Sequence, residues 1–169
     1  MAITRRQVLA SLAATGVVGS LGVGTVAWQW WDRPPGAGLK ALSPDEFSFV
    51  EALADAWMPE GGEPSLSGSQ VGRGSFMDEL VAAMPASQAR EMKLLLQVLV
   101  DVTLPMWMGR FQSLQPAQQQ QVLARWMNSS NHLLRSGVTA VIALLASGYT
   151  MHPEIAATVQ QWYRCGYGR

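Results

Sequence analysis

Few residues in this chain could do chemistry, and their spacing limits what that chemistry is. The 169 residues contain two histidines, His132 and His152, and one cysteine, Cys165. Three such groups at these intervals do not make a zinc site. No C-x-x-C-H run offers covalent attachment to haem, and no G-x-S-x-G elbow or Ser-His-acid set offers acyl transfer. A lone cysteine forms no internal disulfide, so Cys165 reads as a buried or tail thiol. His132 stands near the start of the apolar Leu133/Leu134 helix, where a general base is the functional reading, and His152, before Pro153 at a helix start, reads as exposed. Asp101 is the odd charge, set among Val98, Leu99, Val100, Val102 and Leu104. A carboxylate in apolar surroundings must be paired or neutral. Arg110, Arg125 and Arg135 are the candidate partners for a buried ion pair, and a proton-relay role is the alternative. On this reading the catalytic, cofactor-binding and metal-ligating residue sets are all empty.

The strongest motif is an address. Thr4-Arg5-Arg6-Gln7-Val8-Leu9 resembles the twin-arginine consensus S/T-R-R-x-F-L-K, with Val8 for Phe and Ala10 for Lys. A long uncharged run follows, ending in Trp28-Gln29-Trp30-Trp31. Such a segment is an export signal read by a receptor, not part of a fold. Arg5, Arg6 and Leu9 are its recognition residues. As a helix, Val8 to Trp28 spans about 30 Å, the thickness of a bilayer core. The segment therefore also suits a retained anchor, with the tryptophans at the far interface and Arg5 and Arg6 inside. Thr25-Val26-Ala27 offers a small-x-small cleavage site after Ala27, and cleavage and retention both stay open. Either way the destination is the periplasm, or the periplasmic face of the inner membrane.

Composition bounds the remainder. The chain has 12 basic and 12 acidic residues. Removing Arg5 and Arg6 leaves ten bases against the 12 acids, with no basic stripe for nucleic acid. Only 14% of residues are charged, beside seven Trp and nine Met. The usual charged share is about a quarter. This fits either a large core or a surface that a partner or membrane covers.

The elements that must position any site are helical. Three divisions follow: a signal or anchor over 1–31, a Pro/Gly linker over 32–41, and a helical domain over 42–169. Ser43-Pro44-Asp45-Glu46 has a cap, a first-turn proline and the acid of a capping box. Phe47, Val50, Ala54 and Trp57 continue at helical spacing until Pro59. A long loop covers 60–74, and Ser75 is positioned to cap a short helix through Met84. Pro85 opens the next helix. Its apolar residues lie nearly all round, as in a buried central helix, and Pro105 stops it. Met106-Trp107-Met108-Gly109 reads as an apolar connector. A helix from Pro116 to Trp126 carries four glutamines. Leu134, Val138, Val141, Ile142, Leu145 and Tyr149 make the clearest stripe, and Pro153 starts a last helix toward Trp162. No segment alternates with period two. The fold class is all-α, a small helical domain of about five or six helices preceded by the signal or anchor helix.

Several of these stretches resemble the gluconate 2-dehydrogenase subunit 3 family. They are Leu42 to Phe47, Glu51 to Pro59, Gly72-Arg73-Gly74-Ser75-Phe76, Phe111 to Leu114, Gln121-Val122-Leu123, Trp126, Ser129 or Ser130, Leu134-Arg135, Tyr149, Pro153 and Gly166-Tyr167-Gly168. The resemblance implies a non-catalytic accessory subunit of an exported dehydrogenase complex. The expected partner is a large flavoprotein of the glucose-methanol-choline type, which holds FAD and oxidises a sugar or other alcohol. A cytochrome c subunit is a further expected partner. The small subunit supplies the twin-arginine signal for the folded flavoprotein and supports its maturation, and it holds no cofactor itself. The alternative is a membrane-anchored periplasmic helical binding or scaffold module with no dehydrogenase partner. Trp107, Met108, Arg110 and Phe111 are the candidate partner contacts, by residue type. Their competing reading is as core plugs between helices.

Overall fold

In the computed structural model, residues 33–62, 64–104 and 108–162 are described. Among them are six α-helices, a single 3-10 turn and no strand. The helices are α1 (Pro44–Trp57), α2 (Arg73–Ala83), α3 (Ala86–Asp101), α4 (Pro116–Met127), α5 (His132–Met151) and α6 (Pro153–Trp162), with the 3-10 turn at Phe111–Ser113 between α3 and α4.

Helix α1 begins where its sequence says it should. Glu46 N–H donates to Ser43 Oγ at 3.4 Å, and Ser43 N–H donates to Glu46 Oε2 at 2.7 Å, a reciprocal capping box. Phe49, Val50, Leu53 and Ala54 are all fully buried. Packing of α1 against α2, α3, α4, α5 and the 3-10 turn makes it the central helix.

That role had been expected of α3. Only Leu96, Gln97, Leu99 and Val100 of α3 are buried, and its first turns, from Ala86 to Glu91, are largely exposed. The apolar residues on its second side, Leu94 and Val98, are half-buried. A helix that is apolar all round at one end and polar at the other lies along the flank of the core.

Helix α2 also differs from expectation. It starts at Arg73, with Gly72 as N-cap at a φ of 69°, so Ser75 lies inside the first turn and is exposed. A left-handed residue is what glycine adopts without steric cost. The later boundaries follow their signals. Pro116 opens α4, and Gln115 N–H donates to Gln118 Oε1 at 3.0 Å. Asn131 Oδ1 accepts from Leu133 and Leu134 N–H at the head of α5. By length and composition α5 suits a membrane span, but Val138, Val141, Ile142 and Leu145 face the core.

The segment read as a linker is only partly one. Residues Pro34–Arg169 form one compact unit. Leu39 and Ala41 pack against the core and Leu42 is fully buried. Residues 34–41 thus belong to the helical unit.

Candidate functional site

The four candidate partner residues run from the end of α3 toward the 3-10 turn, and the fold separates them. Trp107 lies outside the described residues. Met108 is 95% exposed, with a φ of 52°. A non-glycine residue in the left-handed region costs about 1–2 kcal/mol, and here it holds a large apolar side chain in solvent. Leu104, just upstream, is 42% exposed.

Arg110, two residues on from Met108, makes two ion pairs. Its Nη1 is 2.7 Å from Asp45 Oδ2 in the first turn of α1, and its Nε is 3.5 Å from Asp101 Oδ1 at the end of α3. The Asp101 side chain is 15% exposed and that of Arg110 is 36% exposed. Of the three arginines considered for Asp101, Arg110 therefore makes the ion pair. Arg135 instead donates to the Ser129 carbonyl. From the loop that follows α3, the guanidinium links the start of α1 to the end of α3, which is a positioning role.

Phe111 is fully buried. Its ring meets Phe49 edge-on at 5.5 Å and stacks on Trp126 at 5.2 Å with a 24° tilt. A side chain without solvent exposure offers nothing to an incoming surface, so Phe111 is corrected from candidate contact to core anchor. The physical reason is the trio itself: the rings of Phe49 and Trp126 pack against Phe111 and take it into the core.

His132 lies on the exposed first turn of α5, its Nδ1 3.3 Å from Ser136 Oγ one turn on. His152 is half-buried at the joint between α5 and α6. The two are separate, and Cys165 lies outside the described residues, as do Arg5, Arg6 and Leu9. Among the described residues, no three His, Cys, Asp or Glu side chains are grouped to hold a metal ion.

Two polar centres escaped sequence reasoning. Asp78 on α2 is 4% exposed and accepts three backbone N–H groups, from Lys40, Ala41 and Leu42, at 2.8, 2.9 and 2.8 Å. Burial pushes its carboxyl pKa up. The three amides and the Lys40 charge push it down further, and the carboxyl ends below its ordinary range. The second centre is Arg73, 6% exposed, whose Nε and Nη2 both donate to the Val71 carbonyl, at 3.2 and 2.6 Å. Its guanidinium lies over the Phe76 ring at 5.1 Å, and burial lowers its pKa. Across 83 residues of sequence, Tyr149 O–H donates to the Leu66 carbonyl at 2.6 Å, tying the loop before α2 to α5. The amides held by Asp78 lie 36 to 38 residues before it, so only its helical spacing beside apolar Met77 and Val81 hints that it faces inward, whereas Arg73 bonds to Val71 two residues away.

Among the described residues, a broad cleft of about 550 Å³ lies beside α1, the loop before α2 and the head of α4. Asp55 and Glu60 line it, and each already accepts a hydrogen bond, from Ser69 N–H at 2.7 Å and Gln70 Nε2 at 3.3 Å. These carboxylates hold the loop. A shallower groove of about 280 Å³ is lined by Met84, Met92 and Leu95 with Gln88 and Glu91.

The described residues form a helical bundle with Met108 exposed and with Asp78 and Arg73 directed at the chain's own backbone. The profile of the family described as Gluconate 2-dehydrogenase subunit 3 matches residues 44–168, from the first turn of α1 almost to the end of the chain. The chain belongs to that family, whose name makes it a subunit of a dehydrogenase complex with other subunits. Comparison with curated proteins and with solved structures gives no match.

Proposed function

We propose that this chain is the non-catalytic small subunit of an exported flavin-dependent dehydrogenase, and that it carries the twin-arginine address for the whole complex. The observation that carries this reading is the pairing, in one chain, of subunit-family membership over residues 44–168 with the Thr4–Leu9 motif. A folded-cargo address on a subunit serves the subunits folded with it. FAD and the oxidation of a sugar or other alcohol belong to the large partner, and a cytochrome c subunit accepts the electrons. The small subunit works on the periplasmic side of the inner membrane, reached through the twin-arginine translocase.

The surface supports a binding role. Met108 and Met151 are 95% and 76% exposed, and Trp57, Leu104 and Leu133 each show more than two fifths of their surface. Met108 costs both exposure and backbone strain, and such outliers gather where a surface has work to do. Met108 is the leading contact for the large subunit.

The test is export of a second protein. With Arg5 and Arg6 both changed to Lys, the signal-less flavoprotein made alongside this chain should stay in the cytoplasm together with it. Export of the flavoprotein at the normal level, with this chain retained inside, refutes the escort role and leaves a stand-alone periplasmic module.

A further inference from the structure

The 34–42 segment joins the helical unit to the export motif, and one carboxylate moors it. Asp78 Oδ1 accepts from Ala41 and Leu42 N–H, and its Oδ2 accepts from Lys40 N–H. Outside this latch, Lys40 Nζ pairs with Glu79 at 2.6 Å. Upstream, Gly36 N–H donates to the Leu42 carbonyl and Leu39 N–H to the Gly36 carbonyl, both at 2.9 Å, so the segment folds into a loop on itself. Leu42 is also the residue before Ser43, the cap of α1. Strap, α1 and α2 are therefore cinched at one point.

The latch joins residues 36 to 38 positions apart in sequence, so it closes only when α2 has packed on α1. We propose that this strap is a folding-dependent mooring: Asp78 holds the chain beside the export signal in ordered form only after the first two helices have docked, and this makes a competent address conditional on a folded subunit. The inference rests on the export reading above. If the latch opens, the nine residues 34–42 fall loose, a stretch that spans about 30 Å at full extension. Leu39, Leu42 and three unpaired amides are then exposed in the stretch that follows the signal in sequence. A route that accepts folded cargo would meet unfolded chain at the position adjacent in sequence to its address.

Two variants of the full-length chain, each made together with its partner, test this. Asp78→Ala removes the acceptor. Ala41→Pro removes one of the three donors from the strap side and leaves α2 untouched. Hydrogen exchange is read at Lys40 and Leu42 and at interior amides of α1 and α2, and export is read by fractionation. Losing a charge-assisted bond should speed exchange at the strap by about tenfold or more, with α1 and α2 still protected and the exported fraction lowered. Strap amides that exchange freely in the unaltered protein overturn the proposal, as does an open strap with normal export. Loss of α1 and α2 protection along with the strap in both variants also overturns it, because the strap is then no separable device. The Arg5→Lys, Arg6→Lys pair serves as the control: normal export in that variant defeats the export reading itself, whatever the strap does.

Discussion

Replacing Phe111 with alanine should show whether the residue after the connector is an anchor of the core or a contact for a partner. The side chain has no exposed surface. Removing a fully buried phenylalanine loses about 1.5–3 kcal/mol of burial. The edge-on contact with Phe49 and the stack on Trp126 add about 0.5–1.5 kcal/mol each. The sum agrees with the range of about 3–5 kcal/mol measured for such truncations, cavity included. For a unit of this size that loss lowers the melting temperature by roughly 10–20 °C. The assay is thermal and urea unfolding followed by helical circular dichroism, with Met108→Ser as the paired control. Met108 is 95% exposed, so its replacement should alter stability by no more than about 0.5 kcal/mol. A loss below about 1 kcal/mol for Phe111→Ala, or partner binding lost at unchanged stability, refutes the assignment of Phe111 to the core.

Three further outcomes follow from the geometry. Met108→Gly should raise stability by up to about 1 kcal/mol by relieving the left-handed backbone, while weakening capture of the large subunit in a pull-down; a loss of stability would mean the side chain packs on this unit. Gly148→Ala should destabilise by about 1–3 kcal/mol in urea unfolding, because a Cβ there would lie 2.4 Å from Arg73 Nη1 and 2.6 Å from Phe76 Cε1. The third outcome is a pH dependence. The pKa of Asp78 is depressed in the folded state, so its stabilisation is complete above the ordinary carboxylate value of 3.8 and is lost as pH falls through the lower folded value. Glu51 works in the opposite sense, because burial, with Asp55 beside it, raises its pKa above 4.5. Its charged form is disfavoured in the fold, and stability is gained as pH falls through that raised value. Urea unfolding against pH should show Glu51→Gln removing the gain and Asp78→Asn removing the acid loss.

Local signals in the sequence were sound guides to where helices begin. The Ser43–Glu46 box and the prolines at 44, 116 and 153 each mark a helix start in the structure. The stripe from Val138 to Tyr149 is buried as its spacing requires. What the sequence left unread depends on packing between distant segments. Ser75 looked like a cap, but Gly72 turns the chain three residues earlier because its left-handed φ allows Arg73 to enter the helix. Helix α3 looked central from its apolar residues, yet α1 holds that place, since its neighbours surround it on most sides. The 34–41 stretch has linker composition and still docks, through an aspartate 37 to 38 residues away. Of the candidate partner contacts, Phe111 proved to be core because Phe49 and Trp126, far from it in sequence, form its socket. Residue type alone does not separate an aromatic held inside from one offered outside.

The central claim is that this subunit carries a folded flavoprotein out of the cytoplasm. The most direct measurement is a pull-down of the tagged full-length chain from its native host under mild conditions, with the bound fraction read for FAD by absorbance and for a large subunit by mass spectrometry. The account predicts a flavoprotein without an export signal of its own, recovered with this chain and lost from the periplasm when Arg5 and Arg6 are changed to Lys. Recovery of the chain with no flavin-containing partner, under conditions that preserve weak complexes, would contradict it.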